Sequence, residues 1–401
     1  MVIEDIFRVL YAPHKAFKKI IQEPKYFGPF VLLMVFVVSQ VCASYIVASR
    51  SYIEQTLPGA RQGDAWTENA ALWQTSPGAV ASNNFVDFIN STYYGNASIE
   101  FLATNVTNIW VENRWESLNG SVNCAEDGFR NVSFRVKIGA PDVKPERATL
   151  YLYSLAASSF QSDLTRIFSN ATTNVWINIT LPVGSESDWT RNGANAEWAN
   201  ITGIKIEFEW PSKQNVNLKV DGLFFRGIFK DALELYGASY IASSALNAVT
   251  PFLFQWLLLT GLIYLIIKGL KGNVVWKPLM VAVGFALVVV VVQALIILVV
   301  YTMLPTLAYT LEWLGGVEGE FLEAYHTLSA SVATINEISS IIQIAVYVWI
   351  VFLGAVITHD ITTQGAKDAP SLPPFGWMKS ILTSAASFLL TLLISGFLLG
   401  V

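Results

Sequence analysis

The chain has 401 residues, of which 53% are hydrophobic, 13% aromatic and only 14% charged, with a formal net charge of -5 and a mean hydropathy of +0.46. That balance excludes a basic nucleic-acid-binding protein and a disordered polyelectrolyte, and it places the chain in a membrane class. Two cysteines, Cys42 and Cys124, cannot supply a disulfide framework.

Residues 1–27 predict two short amphipathic helices on the cytosolic side. Ile3, Ile6, Phe7 and Leu10 form an apolar stripe on the first; Pro13 opens the second, whose Phe17, Ile20 and Ile21 oppose Lys15, Lys18 and Lys19. Such faces suit either contact of Lys15, Lys18 and Lys19 with an anionic headgroup layer or docking on the chain's own bundle. An apolar segment follows at 28–49, with four more at 245–267, 279–304, 338–358 and 380–400, and none contains Lys, Arg, Asp or Glu. Each reaches the ~20 residues that a helix needs to cross a ~30 Å hydrocarbon core. The first is expected to be a retained span, because its polar leader is long and "SQVCASY" (39–45) is a poor cleavage site.

Basic residues set the expected orientation. Arg8, Lys15, Lys18, Lys19 and Lys25 precede the first span; Lys268, Lys271 and Lys277 follow the second; Lys367 and Lys379 follow the fourth. The 305–337 loop has no Lys or Arg. Five spans with the N-terminus cytosolic, and with residues 50–237 and the C-terminus extracytoplasmic, satisfy every loop. The Asn-x-Ser/Thr acceptors, Asn90, Asn96, Asn105, Asn119, Asn131, Asn170, Asn178 and Asn200, all fall in the long outer segment.

Within that segment, residues 50–82 are polar and small and read as a linker. From residue 83 the period becomes two: "ASIEFLA" (97–103), "NVSFRVKI" (131–138), "ATLYLYSL" (148–155), "NVWINITL" (174–181), "GIKIEFEW" (203–210) and "VNLKVDGLFFRG" (216–227) are short alternating runs. They predict an antiparallel sandwich over 83–230. Helical spacing returns in a connector at 231–244, leading to a four-helix part at 245–401. The fold class is therefore α+β, a five-helix transmembrane bundle with an all-β sandwich inserted between the first and second spans.

Nothing in the chain has the pattern of a catalytic site, so a non-enzymatic protein is expected. His14, His326 and His359 fall in separate loops without ligand-pair spacing, and "THD" (358–360) reads as an interfacial cap at the end of the fourth span. Gln255, Gln293 and Gln343 are the largest polar side chains near mid-span, suited to hydrogen bonds between helices. The absence of intramembrane charge disfavours an ion-coupled transporter. Trp110, Trp115, Trp176, Trp189 and Trp198 stand beside alternating strands, where tryptophan either packs in the core or serves as a stacking platform for sugar rings.

Two resemblances bear on function. "LYAPHKAFKKIIQEPKYFGPFVLL" (10–33) and "YLIIKGLKGNVVWKPLMVAVGFA" (264–286) resemble the entry segment and the short basic hairpin of the Yip-domain family, membrane proteins named for interaction with Ypt/Rab-type GTPases. The resemblance implies a membrane organiser or adaptor with cytosolic GTPase-type partners. The long segment between spans one and two departs from that family. Within it, "SDWTRNGANAEWANITGIKIEFEW" (187–210) and "VNLKVDGLFFRG" (216–227) resemble the closing strands of galactose-binding-like and carbohydrate-binding jelly rolls. This second resemblance implies roles for Trp198, Asp221, Phe224 and Phe225, with Asp221 near a structural calcium or, on its own residue pattern, simply forming a turn before Gly222. Three readings compete: a Yip-like organiser presenting a glycosylated sandwich, an envelope- or glycan-binding receptor anchored by its bundle, and a passive channel or transporter. Glycosylated acceptors in such an architecture imply an archaeal cell surface or a eukaryotic secretory membrane.

Overall fold

The computed structural model describes residues 2–59, 62–91, 93–115, 120–155, 158–368 and 373–399. In chain order, helices α1 (Val2–Tyr11), α2 (Pro13–Gln22) and α3 (Phe27–Arg50) come first. Strands β1 (Ser51–Leu57), β2 (Trp73–Thr75), β3 (Ala79–Asn84), β4 (Ser98–Arg114), β5 (Asn131–Ala140), β6 (Arg147–Tyr153) and β7 (Ser159–Asp163) follow. Helix α4 (Thr165–Ser169) precedes β8 (Ile177–Pro182), β9 (Thr190–Asn192) and β10 (Gly203–Asp231). The remainder is α5 (Ala232–Gly269), α6 (Trp276–Ala286), α7 (Val288–Tyr301), β11 (Leu307–Tyr309), α8 (Leu311–Gly315), α9 (Glu320–Asp368) and α10 (Trp377–Leu399). Two compact units result, one from Met1–Ser51, Asp231–Leu307 and Ser329–Val401, the other from Tyr52–Lys230 and Ala308–Leu328.

The first unit is helical. Its helices Phe27–Arg50, Ser239–Gly269, Trp276–Tyr301, Glu320–Lys367 and Trp377–Leu398 are long and apolar enough to cross a membrane. The third is interrupted by a single turn at Leu287 between α6 and α7. The Asp231 carboxylate accepts the Glu234 N–H at 2.7 Å and caps a first short helical turn, which a kink at Gly237 (φ 39, ψ -121) separates from the long apolar part of α5. On α5, Phe252, Trp256, Leu259, Ile263 and Ile267 recur every three or four residues and are all buried, so one stripe of the helix carries its packing. The glycines of α3 and α6 let backbones approach: a Cβ on Gly28 would lie 2.0 Å from the Phe285 ring, and one on Gly284 would lie 2.7 Å from Pro29. The amphipathic N-terminus docks on this bundle. Val9, Ala16, Phe17, Ile20 and Ile21 join its core, whereas Ile3, Phe7 and Tyr11 stay exposed. Lys15 and Lys18 are exposed, but Lys19 is held by Asp5 at 2.7 Å, tying α2 to α1.

The second unit is built on an 11-stranded sheet. Its spine is β10, which pairs antiparallel with β4 from Gly203 to Val220, with β6 through its first part and with β5 through its second. Register shifts between Glu209 and Val216 mark the bend between those parts, opposite Asn105 at φ 58; such bulges kink a strand and increase its twist. The alternation of "GIKIEFEW" sends Ile204, Ile206, Phe208 and Trp210 inward and leaves Lys205, Glu207 and Glu209 on the outer face. They join Ile99, Phe101, Ile109, Phe134, Leu150 and Leu152 in one core, where each fully buried large side chain contributes about 1.5–3 kcal/mol.

Residues 50–82 are not a linker. They supply β1, β2 and β3, and β3 pairs with β4 from Ala79↔Ala103 to Asn84↔Ser98. Small residues make these strands hard to recognise, yet Trp73 is buried against Phe101, with ring centroids 5.5 Å apart. The 305–337 segment is likewise structured, since β11 pairs with β1 and α8 packs Leu311 against Phe224, Tyr93 and Tyr94.

Candidate functional site

The outward face of the central strands concentrates aromatic and charged groups. Register places Trp110, Glu207 and Thr149 in one row, Glu112, Lys205 and Tyr151 in the next, and Arg114, Gly203 and Tyr153 in a third. Lys205 Nζ lies 5.6 Å from the Trp110 ring centroid and 4.8 Å from that of Tyr151, and it pairs with Glu207 at 2.8 Å. The Arg114 guanidinium sits 3.1 Å over the Tyr153 ring, while the Tyr153 hydroxyl donates to Glu112 at 3.0 Å. Burial first, then the Glu112 carboxylate, push the Tyr153 hydroxyl up to about 12. Burial and Glu207 likewise raise that of Tyr151. Both phenols therefore remain donors, and the face offers flat rings together with paired donors and acceptors. These are the chemical elements of sugar recognition.

The other tryptophans are placed differently. Trp115 is 2% exposed, stacked 4.5 Å from Trp66, and donates its indole N–H to the Ile201 carbonyl; it is a core residue with no face to offer a ligand. Trp198 lies on Phe160 at 3.8 Å, with Trp189 edge-on at 5.8 Å. Trp176 donates to Asp87 at 3.2 Å. Tyr151 and Tyr153, which complete the outer face, were legible as the outward positions of "ATLYLYSL", but attention to tryptophan alone passes over them.

Asp221 is fully buried, and so is Asp64. Asp64 Oδ2 accepts from Thr67 Oγ1 at 2.7 Å and from the Gly222 N–H at 3.1 Å. Asp221 accepts from the Ile89 and Gly222 N–H groups at 2.7 and 2.8 Å. Asp64 Oδ1 has no hydrogen-bond donor, and the pair has no ion-pair partner among the described residues. Burial is the largest influence on both carboxyls and raises them above the ordinary range; the mutual interaction adds to the rise of Asp221. Two buried carboxylates with a donor-less oxygen fit a hard cation such as calcium, which takes oxygen ligands. Phe224 packs edge-on against Tyr94, and Phe225 against Trp66 and Trp115.

Of the Asn-x-Ser/Thr asparagines, Asn90, Asn96, Asn105, Asn170 and Asn178 are exposed, Asn131 and Asn200 are half-buried, and Asn119 lies outside the described residues. In the helical unit, Gln255, Gln293 and Gln343 line one cavity of about 240 Å³ with Tyr347, Thr391 and Ser395. His14 and His359 do not remain apart, as their sequence positions suggest: they meet at Asp360.

The class these features define is an α+β protein that combines long apolar helices with an antiparallel β unit. No family model and no curated protein matches the chain. Among solved structures it is similar to an exo-beta-agarase (9% identity, 41% of this chain and 24% of that one, TM-score 0.30). A carbohydrate-binding module of the beta-sandwich superfamily aligns at 11% identity over 39% of this chain and 57% of that one, TM-score 0.26. The module TmCBM61, solved with beta-1,4-galactotriose, aligns at 13% identity over 42% of this chain and 97% of that one, TM-score 0.25. The match thus spans about a quarter of the agarase.

Proposed function

We propose that the protein is a non-enzymatic, multi-pass membrane protein whose jelly-roll-like β unit binds a glycan on the cell exterior. The observation that carries this is the outer face of Trp110, Tyr151 and Tyr153 interleaved with Lys205, Glu207, Glu112 and Arg114. Rings of this kind stack on the apolar faces of sugars while the charged pairs bond their hydroxyls. The clustering of acceptors in this unit supports an extracytoplasmic placement. Calcium at Asp64 and Asp221 would hold the loops behind β10 without touching the ligand.

The test is a glycan array probed with the full chain in detergent, produced without its own glycans. Binding to a defined glycan is expected, with Trp110→Ala and Tyr151→Ala each weakening it at least about tenfold, or ~1.4 kcal/mol. An array without hits, or affinity unchanged in both variants, would sink the assignment.

A second role for the bundle follows from its Yip-like segments and from the exposed Lys15 and Lys18 on a helix docked against it. We propose that this face organises the membrane with a Rab-type GTPase partner. Vesicles carrying the full chain should retain a GTP-loaded Rab-type GTPase above the level of empty vesicles, and Lys15→Glu with Lys18→Glu should reduce that retention. Equal retention by empty vesicles removes the reading.

A further inference from the structure

At one end of the helical unit, three potential metal ligands converge from distant parts of the chain. His14 lies in the first turn of α2, immediately after Pro13; His359 and Asp360 are neighbours on α9. One ligand atom from each lies within 4.8 Å of the other two. Asp360 is 5% exposed, and an acid that deeply buried is normally paired or bound to a metal. Its Oδ1 is 2.9 Å from His14 Nδ1 and 3.5 Å from His359 Nδ1.

The hydrogen bonding around these atoms is incomplete. Asp360 Oδ2 is buried and has no donor, and the 2.9 Å approach of His14 Nδ1 to Oδ1 lacks hydrogen-bond geometry. A buried polar atom left unpaired costs about 1–3 kcal/mol, more when charged, so Asp360 Oδ2 beside two imidazoles points to a missing partner that accepts lone pairs. Lys18, one turn along α2, contributes positive charge nearby, but forms no ion pair with Asp360 among the described residues. The surrounding shell is already ordered. Trp377, at the start of α10, stacks on the His359 ring at 4.3 Å and 8°, and Thr363 Oγ1 donates to the His359 carbonyl at 2.7 Å.

We propose that His14, His359 and Asp360 bind a divalent transition-metal ion of the zinc type. Two imidazoles and a carboxylate are the donor set that borderline ions prefer over calcium or magnesium. Small rotations bring the three atoms to the ~2.0–2.2 Å that zinc requires, with water completing the tetrahedron from the half-exposed side of His14. The ion would supply the charge that the buried carboxylate lacks and clamp α2 onto α9. The stacked Trp377 fixes the His359 ring, as outer-shell groups do at metal sites.

The experiment uses the full chain in detergent, purified without a polyhistidine tag and stripped with a chelator, then titrated with cobalt(II) alone. One equivalent is expected to produce ligand-field absorption bands that zinc(II) bleaches. His14→Gln, His359→Ala and Asp360→Asn should abolish the bands, His326→Ala should leave them intact, and Trp377→Ala should weaken binding about tenfold. His14→Gln is the deciding variant, because its half-exposed side chain can change without disturbing α9; its metal-free melting curve should match that of the parent. Absence of bands in the parent chain would mean a plain His14–Asp360 ion pair and overturn the proposal. So would bands that persist in a His14→Gln protein with an unchanged melt.

Discussion

Replacing Arg226 with leucine should cost the β unit about 3–5 kcal/mol, the range for removing one member of a buried ion-pair group. The guanidinium is 8% exposed and bridges two carboxylates: Nε donates to Glu54 at 2.9 Å, and the two terminal nitrogens donate to Glu312 at 2.6 and 2.9 Å. Glu54 uses its other oxygen to accept the Leu311 N–H at 2.6 Å. One arginine therefore joins β1, β10 and α8, and its loss strands the buried Glu54 and the half-buried Glu312 without their cation. Denaturation of the full chain, followed by tryptophan emission, measures the loss. Adding Glu54→Gln and Glu312→Gln to the variant should recover a large part of it, and a loss below ~1 kcal/mol would refute the account.

The same cluster has a pH signature. Burial alone would raise the Glu312 carboxyl, but the hydrogen bonds from Arg226 outweigh it and hold the group down to about 2. An unfolded glutamate titrates near ~4.3. The folded form therefore binds fewer protons between those values, and its stabilising contribution is complete above ~4.3 and lost as pH falls toward about 2. In Arg226→Leu this acid-dependent loss should disappear.

Calcium is expected to raise the melting temperature of the β unit, by an amount equivalent to about 4 kcal/mol at a thousandfold excess over Kd. In a chelator, Asp64 and Asp221 behave in the opposite sense to Glu312. Both are raised by burial, so the folded pair holds protons that unfolded aspartates release near ~3.9. Stability is then greatest below that value and declines as pH rises through the elevated titrations. Calcium replaces those protons and should flatten the decline. Asp221→Asn should abolish the calcium increment while melting no lower than the parent in chelator, because it removes one of two like charges. A parent melt indifferent to calcium would dismiss the site.

The long apolar helices were legible because a stretch of twenty residues without charge has few alternatives in water, and the central strands because alternation in "GIKIEFEW" carries its own register. Strands β1 to β3 were not, since Ala79 and Ala81 present the period in residues too small to register as hydrophobic. That omission also hid Asp64, which sits in the stretch read as linker, so Asp221 stood without its partner. His14, His359 and Asp360 were individually visible, but their meeting depends on α2 docking on the helical bundle, a contact that no local spacing encodes. Trp115 and Trp110 looked alike as tryptophans at the end of one strand; only the pairing of β4 sorted one into the core and the other onto the outer face.

The β unit is assembled from two pieces of chain, Tyr52–Lys230 and Ala308–Leu328. A ribosome that has finished the first must make about 98 further residues before the second is complete, roughly 5–20 s at ~5–20 residues per second. For most of that interval, until residues 307–312 are made, Arg226 and Glu54 lack Glu312, β1 lacks β11, and Phe224 lacks its cover from Leu311. The nascent unit must therefore wait with an open strand edge and an uncovered apolar patch until the second piece is made.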